Sequence, residues 1–214
     1  MSSRIGVFGG MFDPVHNGHL ELARSAIKEL QLDQLRMVPC HQPNHRLQAK
    51  SSSTERVAML KLATTKFDSI IIDSQEIERN GTSYTAATLA NLKSENPNSS
   101  LVLLVGVDSF NTLADWHNWE SIIELSHVVV FARAGENLTF PKNAQKNLNE
   151  CIVKSPAELF GSNAGSIYLL DGFNYDASST EVRTRIAERS NFSELLPAVV
   201  CSYIADNELY NDKK

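Results

Sequence analysis

Two histidines that lie three positions apart, His16 and His19, follow a pair of glycines near the start of the chain. Glycines allow the backbone to come close to a phosphate, and a helix N-terminus offers N–H groups without intrahelical partners. Two imidazoles on one side of the first turn would complete a cradle for a triphosphate. Isolated histidines at such positions more often cap or solvate a helix, so the prediction depends on the whole string of residues 9–19.

A second group of suited side chains lies near the C-terminus, in the string Ser178-Ser179-Thr180-Glu181-Val182-Arg183. Hydroxyls at the start of a helix and an arginine one turn later can form an anion site, because the guanidinium shares a face with the first-turn N–H groups. The same pattern is a common helix cap, and this string alone favours neither interpretation.

An acidic residue, Asp108, stands just past the apolar run of residues 101–105 and two positions after Gly106. A carboxylate beyond a strand end is well placed to bond the ribose or the adenine of a nucleotide. A lone aspartate at this position could equally cap the next short helix. Both interpretations stay open on these residues alone.

These strings together resemble the HxGH nucleotidylyltransferase superfamily, whose GGTFDPVHxGH signature is similar to residues 9–19. The resemblance implies that the two histidines contact the phosphates of ATP and stabilise charge that develops in the transition state. Position 11 is methionine where the family usually has threonine, so one hydroxyl near the phosphates is missing and backbone N–H groups are expected to act instead. The ATP-binding residues implied by this motif are Gly9, Gly10, Met11, Phe12, His16 and His19.

The C-terminal string resembles the ISSTxxR phosphate clamp of the same superfamily, with Ala177 in place of the usual isoleucine. Residues 106–109 resemble the G-x-D-S nucleotide contact of the superfamily. A third stretch, which follows the apolar run of residues 128–132, resembles a less specific ATP contact. The ATP-binding residues that these resemblances add are Ser179, Thr180, Arg183, Gly106, Asp108 and Arg133.

Three further stretches, residues 43–46, 83–85 and 116–119, resemble the nicotinate mononucleotide branch of the superfamily. An indole face suits a flat pyridine ring, and a histidine beside an arginine suits a phosphate. Tryptophan most often packs in a core, but the polar neighbours of Trp116 predict that it is not fully buried. The residues that the resemblance assigns to the acceptor are His45, Arg46, Thr85, Trp116 and His117.

The resemblance extends from residue 6 to about residue 210. It implies transfer of AMP from ATP to nicotinate mononucleotide, which yields deamido-NAD and pyrophosphate. Mg²⁺ is expected to enter with the ATP phosphates, because the sequence shows no dedicated carboxylate cage. Asp13 is expected to shape its loop rather than to bind the metal, so no metal ligand is predicted.

Two alternatives remain open. One is an adenylyl- or cytidylyltransferase of the same fold that acts on another phosphorylated acceptor, such as phosphopantetheine or a polyol phosphate. The other is a non-catalytic Rossmann-like module that senses a dinucleotide, although such a sensor would need neither the histidines nor Arg183. An NAD-dependent oxidoreductase is disfavoured, because no G-x-G-x-x-G follows the first apolar run.

Apolar runs and helical spacings alternate along the chain and predict the elements that position these residues. This alternation predicts an α/β fold with a Rossmann-like doubly wound parallel sheet in one domain, residues 1–214. Strands are predicted at residues 5–8, 35–38, 70–72, 101–105, 128–132 and 167–170, and helices at residues 18–30, 54–65, 83–93 and 195–209. A further helical stretch follows the string 178–183 and runs to residue 189.

Some details within these elements are also predicted. Thr54 is the expected N-cap of its helix, with Val57, Leu60 and Leu62 facing the core, and Pro197 is expected in the first turn of the last helix. Two stretches lack a regular pattern. Residues 42–53 are expected to form a loop over a site, and residues 136–149 a surface excursion.

Composition limits the class of protein and of ligand. The chain has 214 residues, 42% of them hydrophobic and 21% charged, which suits one globular domain. Its net charge of -5 gives no overall attraction to nucleic acid, so small-molecule substrates are expected and nucleic-acid partners are not. Three cysteines without CxxC spacing, and no apolar stretch long enough for a membrane span, indicate a cytoplasmic protein. No oligomeric state is predicted.

Overall fold

The structure is a computed structural model that describes residues 3–43, 48–132, 139, 145–170 and 177–211. Within these residues a seven-stranded sheet is the dominant feature. Its strands, in chain order, are β1 (Arg4–Gly10), β2 (Gln34–Pro39), β3 (Ile70–Ile72), β4 (Ser100–Gly106), β5 (His127–Phe131), β6 (Ile152–Val153) and β7 (Ile167–Leu170).

The strand order along the sheet is β3-β2-β1-β4-β5-β7-β6. The chain therefore moves outward from β1 through β2 to β3, and then resumes on the other side of β1 with β4. The pairs β1/β4, β4/β5, β5/β7 and β6/β7 are parallel, with Ile5 opposite Leu101 and Val105 opposite Val130. The predicted doubly wound parallel sheet is confirmed. In such sheets ligands bind beyond the carboxyl ends of the strands, near the point where the order reverses.

Helices follow most of the strands, as parallel connections require. The described helices are α1 (Asn17–Leu30), α2 (Ser53–Thr64), α3 (Gln75–Arg79), α4 (Thr85–Glu95), α5 (Val107–Asn111), α6 (Trp119–Leu125), α7 (Gln145–Glu150), α8 (Pro156–Leu159), α9 (Ser179–Ala187) and α10 (Ala198–Asp206), with short 3₁₀ helices at Leu113–Asp115 and Ser193–Leu195.

The chain forms two compact units, of which the first comprises Met1–Gly9, Ala26–Arg36 and Tyr84–Asn174. All residues of β5 are buried, and so are all residues of β4 except its last, Gly106. Strands covered on both faces carry mostly apolar side chains, which explains why the sequence shows continuous runs there rather than alternation.

The second unit comprises Gly10–Ser25, Met37–Ser83 and Tyr175–Lys214. Its core includes an interface between α2 and α10, and α2 also packs against β3. The buried apolar side chains of this interface's two helices are Met59, Leu60, Ala63, Val200 and Ile204.

The observed start of α2 differs from the prediction. Its N-cap is Ser52, whose side chain accepts from the Glu55 N–H at 3.2 Å, while the Glu55 carboxylate accepts from the Ser52 N–H at 2.7 Å. The predicted cap, Thr54, lies inside the first turn. Of the three residues predicted to face the core, Leu60 is buried and Val57 is half-buried, whereas the prediction is wrong for Leu62, which is 39% exposed.

Two other predictions about elements are wrong in detail. The last helix begins at Ala198 with Pro197 as its N-cap, because residues 193–195 form a separate 3₁₀ helix. Residues 136–149 are not wholly a surface excursion, since α7 begins at Gln145 and Leu148 is buried. Within the described part of the chain, no helix is long and apolar enough to cross a membrane. None of the three cysteines is in a disulfide bond.

The capping box of α2 gives a testable prediction. Ser52→Ala removes the side-chain acceptor of the Glu55 N–H and should lower the free energy of unfolding by about 1 kcal/mol. Thr54→Ala is the matched control, because it also removes one exposed hydroxyl but leaves the cap intact, and it should change stability by less than about half as much. Urea unfolding of both variants measures the difference. A larger loss from Thr54→Ala than from Ser52→Ala would contradict the observed cap.

Candidate active site

His16 and His19 hydrogen-bond each other's backbone at the start of α1. The His19 N–H donates to His16 Nδ1 at 3.3 Å and to the His16 carbonyl at 2.9 Å, and the His16 N–H donates to His19 Nδ1 at 3.2 Å. The two bonds are reciprocal, like those of a capping box, but the acceptors are ring nitrogens instead of side-chain oxygens. Their rings stack with centroids 3.6 Å apart.

This arrangement determines which tautomer each neutral imidazole ring adopts. Because each Nδ1 accepts a backbone N–H, the neutral form of each ring carries its proton on Nε2 and donates from there. Burial, together with the nearby His16, holds the pKa of His19 well below its ordinary value. His19 is therefore neutral at pH 7, and its chemistry is that of a hydrogen-bond donor rather than of a cation.

The loop before the histidines is held by a buried aromatic ring. Phe12 is 1% exposed, has φ 49°, and sets the edge of its ring against His19 at 5.0 Å between centroids. A positive φ is unfavourable for a side chain of this size, so the surrounding packing has to enforce it. A Cβ on Gly10 would lie 3.0 Å from the Phe12 ring, which explains the glycine that precedes Met11.

An arginine that the sequence does not single out lies beneath this loop. Arg56 in α2 is 1% exposed, and its Nη1 donates to the Met11 carbonyl at 2.8 Å while Nη2 donates to Ser53 Oγ at 3.0 Å. No carboxylate among the described residues lies within 4 Å of it. Burial lowers its pKa, against the raising effect of Cys40, Asp13 and Tyr210. The signal in the sequence that could have identified Arg56 is its position among the buried residues of α2.

Asp13 shapes the loop, as predicted. The side chain is 4% exposed, Oδ2 accepts the Lys50 N–H at 2.7 Å, and Oδ1 accepts the N–H and the Oγ–H of Ser51 at 3.1 and 2.6 Å. Both carboxylate oxygens are therefore used by the protein itself. Among the described residues, no group of three or more His, Cys, Asp or Glu side chains could hold a metal ion.

The C-terminal string serves both as a helix cap and as a brace for the first motif. Ser178 is the N-cap of α9 and accepts from the Glu181 N–H at 3.1 Å. Ser179, the first residue of the helix, donates its hydroxyl to the Pro14 carbonyl at 2.9 Å. The helix-cap interpretation is thus confirmed for Ser178, while the anion-site interpretation of this string stays a prediction.

Arg183 completes the contact between the two motifs. Its Nη1 donates to the Asp13 carbonyl at 2.6 Å and lies 3.8 Å from the Asp13 carboxylate, and its Nη2 donates to Thr180 Oγ1 at 3.2 Å. The structure therefore brings together the predicted residues Ser179, Thr180 and Arg183 with the loop that carries the histidines.

The other predicted residues that the structure describes belong to the first unit. Gly106 is the last residue of β4 and the N-cap of α5, so the alternative in which Asp108 caps this helix is wrong. Asp108 is exposed in the first turn of α5. Thr85 is the first residue of α4 and Trp116 follows a 3₁₀ helix, and both are half-buried.

Tyr84 and His117 are brought together within this unit. Their ring centroids lie 4.4 Å apart, and His117 is exposed. The sequence places these residues 33 positions apart and offers no signal of this pairing beyond the resemblance. Three predicted site residues, His45, Arg46 and Arg133, lie outside the described residues.

His41 is a further polar residue that the sequence does not single out. Its Nε2 lies 2.9 Å from Asn80 Oδ1 and its Nδ1 3.3 Å from Ser53 Oγ, while its N–H donates to Ser83 Oγ at 3.0 Å. These bonds fix the residue that precedes the irregular stretch of residues 42–53.

Comparison with known proteins identifies the family of this chain. A model of the cytidylyltransferase-like family matches residues 7–185, which include both motifs. A relative from Methylococcus capsulatus, described as a probable nicotinate-nucleotide adenylyltransferase, is 35% identical over 96% of this chain and 99% of its own length. A relative from Cellvibrio japonicus with the same description is 38% identical over 98% of this chain and 100% of its own.

Solved structures show the same fold. The nicotinic acid mononucleotide adenylyltransferase of Plasmodium falciparum, complexed with APC, matches with a TM-score of 0.73 at 16% identity and covers 98% of each chain. The same protein complexed with NaAD gives a TM-score of 0.73 at 17% identity. Because the family match and the near-complete coverage of the curated relatives coincide with the observed motifs, this chain belongs to the nicotinate-nucleotide adenylyltransferase family of cytidylyltransferase-like proteins.

Proposed function

We propose that this protein transfers AMP from ATP to nicotinate mononucleotide, giving deamido-NAD and pyrophosphate, as a step in NAD biosynthesis. One observation carries the proposal: the reciprocally bonded pair His16 and His19 and the brace Ser179 and Arg183 converge on one loop in a chain of this family. The curated relatives carry the same enzyme description over nearly their whole length.

The reaction needs alignment and charge stabilisation more than acid–base chemistry. The 5′-phosphate of the mononucleotide attacks the α-phosphorus of ATP, a P–O bond forms, and the bond to pyrophosphate breaks. A phosphate monoester with a second pKa of about 6 is mostly dianionic at neutral pH, so it requires no general base. The protein's contribution is then to hold the reactants in line and to place donors where charge grows.

The two histidines supply donors of that kind. In our proposal, the Nε2–H groups of His16 and His19 bond the phosphate oxygens of ATP and strengthen those bonds as charge develops. Neutral rings suit this role, because each ring is already oriented by the backbone and need not gain a proton during the reaction.

The remaining ATP contacts follow from the family motifs. Arg183 has N–H groups beyond those that bond Asp13 and Thr180, and a planar guanidinium suits a phosphate. Mg²⁺ is proposed to arrive as part of the MgATP substrate, since the described side chains offer no metal cage. Further proposed ATP contacts are Gly9, Gly10, Met11, Phe12, Gly106, Asp108, Arg133, Ser179 and Thr180.

The acceptor contacts are proposed from the family branch. Trp116 would stack on the pyridine ring, and its half-buried state leaves part of the indole accessible. Thr85 and the backbone near His117 would donate to the carboxylate, and His45 with Arg46 would bind phosphate. A single domain and a cytoplasmic location are part of the same proposal.

The acceptor is tested with purified protein, MgATP and a panel of nicotinate mononucleotide, phosphopantetheine and a polyol phosphate, with pyrophosphate release as the readout. Turnover with nicotinate mononucleotide is the expected result. Turnover with another acceptor alone would assign the chain to a different transferase, and binding of deamido-NAD without any turnover would indicate a dinucleotide sensor.

The role of His19 is tested with two variants. His19→Ala should lower kcat by at least about two orders of magnitude with a much smaller change in ATP affinity, because its donor acts mainly in the transition state. His19→Asn is the matched variant, since its Oδ1 can still accept the His16 N–H but the Nε2 donor is gone. It should lose a similar amount of activity. Near wild-type kcat in His19→Asn would assign the residue a capping role only.

The missing threonine hydroxyl should matter little. Met11→Thr should leave kcat within about tenfold of the wild-type value, because one neutral hydrogen bond contributes only about 1 kcal/mol. The Met11 carbonyl remains bonded to Arg56 whatever the side chain. Steady-state kinetics and a thermal melt are measured together, and loss of folding or of more activity than this would show that the methionine packs in an essential way.

Discrimination between acid and amide is the most specific prediction. Nicotinate mononucleotide should be preferred over its amide by about a hundredfold, because the amide leaves buried donors unpaired at about 1–3 kcal/mol each. Trp116→Ala should weaken both acceptors similarly and preserve the preference. Values of kcat/KM for both mononucleotides separate the two effects. Equal use of acid and amide by the wild-type protein would eliminate the donor-based account.

A further inference from the structure

A tyrosine near the C-terminus contacts the same carboxylate that shapes the histidine loop. Tyr210 Oη donates to Asp13 Oδ1 at 2.8 Å and lies 2.9 Å from Ser51 Oγ, which itself lies 2.6 Å from Asp13 Oδ1. Three oxygen atoms from residues 13, 51 and 210 thus form a compact triangle. Nothing in the family motifs at residues 9–19 or 177–183 includes this tyrosine.

The ionisation of these groups suits a donor–acceptor contact. Burial raises the pKa of Tyr210, and the negative charge of Asp13 raises it further. The hydroxyl therefore keeps its proton. Burial alone would raise the pKa of Asp13, but hydrogen bonds from Ser51, Lys50 and Tyr210 outweigh it and hold that pKa below its ordinary value. The contact is therefore a hydroxyl donating to a buried carboxylate, which is a strong type of hydrogen bond.

Helix α10 places the tyrosine. The residues after α10 fold back on its last turn, with the Asn207 N–H bonded to the Tyr203 carbonyl and the Leu209 N–H to the Ile204 carbonyl. Ile204 is buried, and α10 packs against α2. Tyr210 has φ 62°, a value unusual for a tyrosine, which its fixed surroundings impose.

Asp13 transmits this contact to the residues of the proposed active site. Its backbone carbonyl accepts from Arg183 at 2.6 Å, and its carboxylate lies 3.8 Å from the same guanidinium nitrogen. The chain continues from Asp13 through Pro14, whose carbonyl is held by Ser179, to His16. A rotation of Asp13 would therefore displace both the arginine and the histidine pair.

We propose that Tyr210 is a positioning residue for adenylyl transfer: its hydroxyl fixes Asp13 and thereby sets Arg183 and the His16–His19 pair. The inference rests on the proposed function. Tyr210 acts through Asp13 and contacts no reacting atom, so its effect is on the alignment reached in the transition state rather than on the capture of ATP.

The test compares Tyr210→Phe with Tyr203→Phe. Each removes one phenol hydroxyl from the α10 region, but the described structure gives the Tyr203 hydroxyl no such carboxylate contact. Tyr210→Phe should lower kcat with nicotinate mononucleotide about tenfold and change KM for ATP less than threefold, while Tyr203→Phe stays within about twofold of wild type. Both are assayed at temperatures where circular dichroism shows the fold intact.

A pH profile separates positioning from general weakening of the fold. Because the folded-state pKa of Asp13 is depressed, its contribution is present at neutral pH and is lost as pH falls through that pKa. Removing one donor raises the pKa, so kcat of Tyr210→Phe relative to wild type should fall further on the acid side. Taking this ratio at each pH cancels protonation of the substrate phosphate, which affects both proteins equally. Ser51→Ala, which removes the other hydroxyl on Oδ1, should shift the profile in the same direction.

Each outcome has one meaning. Wild-type kcat and an unshifted acid limb in both Tyr210→Phe and Ser51→Ala would overturn the positioning role and leave the proposed function intact. Equal losses in Tyr210→Phe and Tyr203→Phe, without a shift of the acid limb, would overturn it too. Absence of transfer to nicotinate mononucleotide by the wild-type protein would overturn the proposed function and this inference with it.

Discussion

A carboxylate that stays ionised while buried must be surrounded by hydrogen-bond donors, and Asp13 shows what that requirement imposes on this chain. Its donors are the backbone N–H of Lys50, the N–H and hydroxyl of Ser51, and the hydroxyl of Tyr210. These segments are 37 to 197 positions away in sequence. The buried charge of Asp13 therefore requires that two distant segments contact the glycine loop: the irregular stretch before α2 and the residues after α10. Leaving any donor out would cost more than its bond contributes, because the charge would remain buried and underpaired.

The histidine pair meets a different requirement, which arises at the start of α1. The first N–H groups of a helix need acceptors, and serine, threonine or aspartate usually provide them. An aspartate cap would place negative charge where our proposal places an ATP phosphate. In His16 and His19 a neutral Nδ1 accepts the N–H, and the proton on Nε2 remains a donor on the far side of each ring. The helix is capped without repelling an anion, and the same two bonds orient the rings for the proposed chemistry.

Local signals in the sequence predict the sheet and both motifs well. They fail to predict contacts between residues that are far apart in the sequence. Strand β5 is buried throughout and β4 up to its last residue, so an apolar run suffices to find them. Elements of two to five residues, such as β6 and α3, are too short to show a period. The N-cap of α2 is ambiguous among residues 51–54, which all carry hydroxyls, and Glu55 at the third helical position decides for Ser52. Arg56 and Tyr210 gain their roles only from contacts with residues 11 and 13, which no local pattern encodes.

The backbone contacts of the loop are the physical reason to expect that a methionine is acceptable at position 11. Three of its carbonyl oxygens are engaged by donors from other segments: that of Met11 by Arg56, that of Asp13 by Arg183, and that of Pro14 by Ser179. Carbonyl oxygens repel phosphate, so a loop that is to bind an anion has to turn them away and hold them there. In our proposal each of these bonds has that effect, and each acts on the main chain rather than on a side chain. The orientation of the loop is consequently insensitive to whether residue 11 carries a hydroxyl, and the lost hydroxyl removes one contact without releasing the backbone that the other contacts depend on.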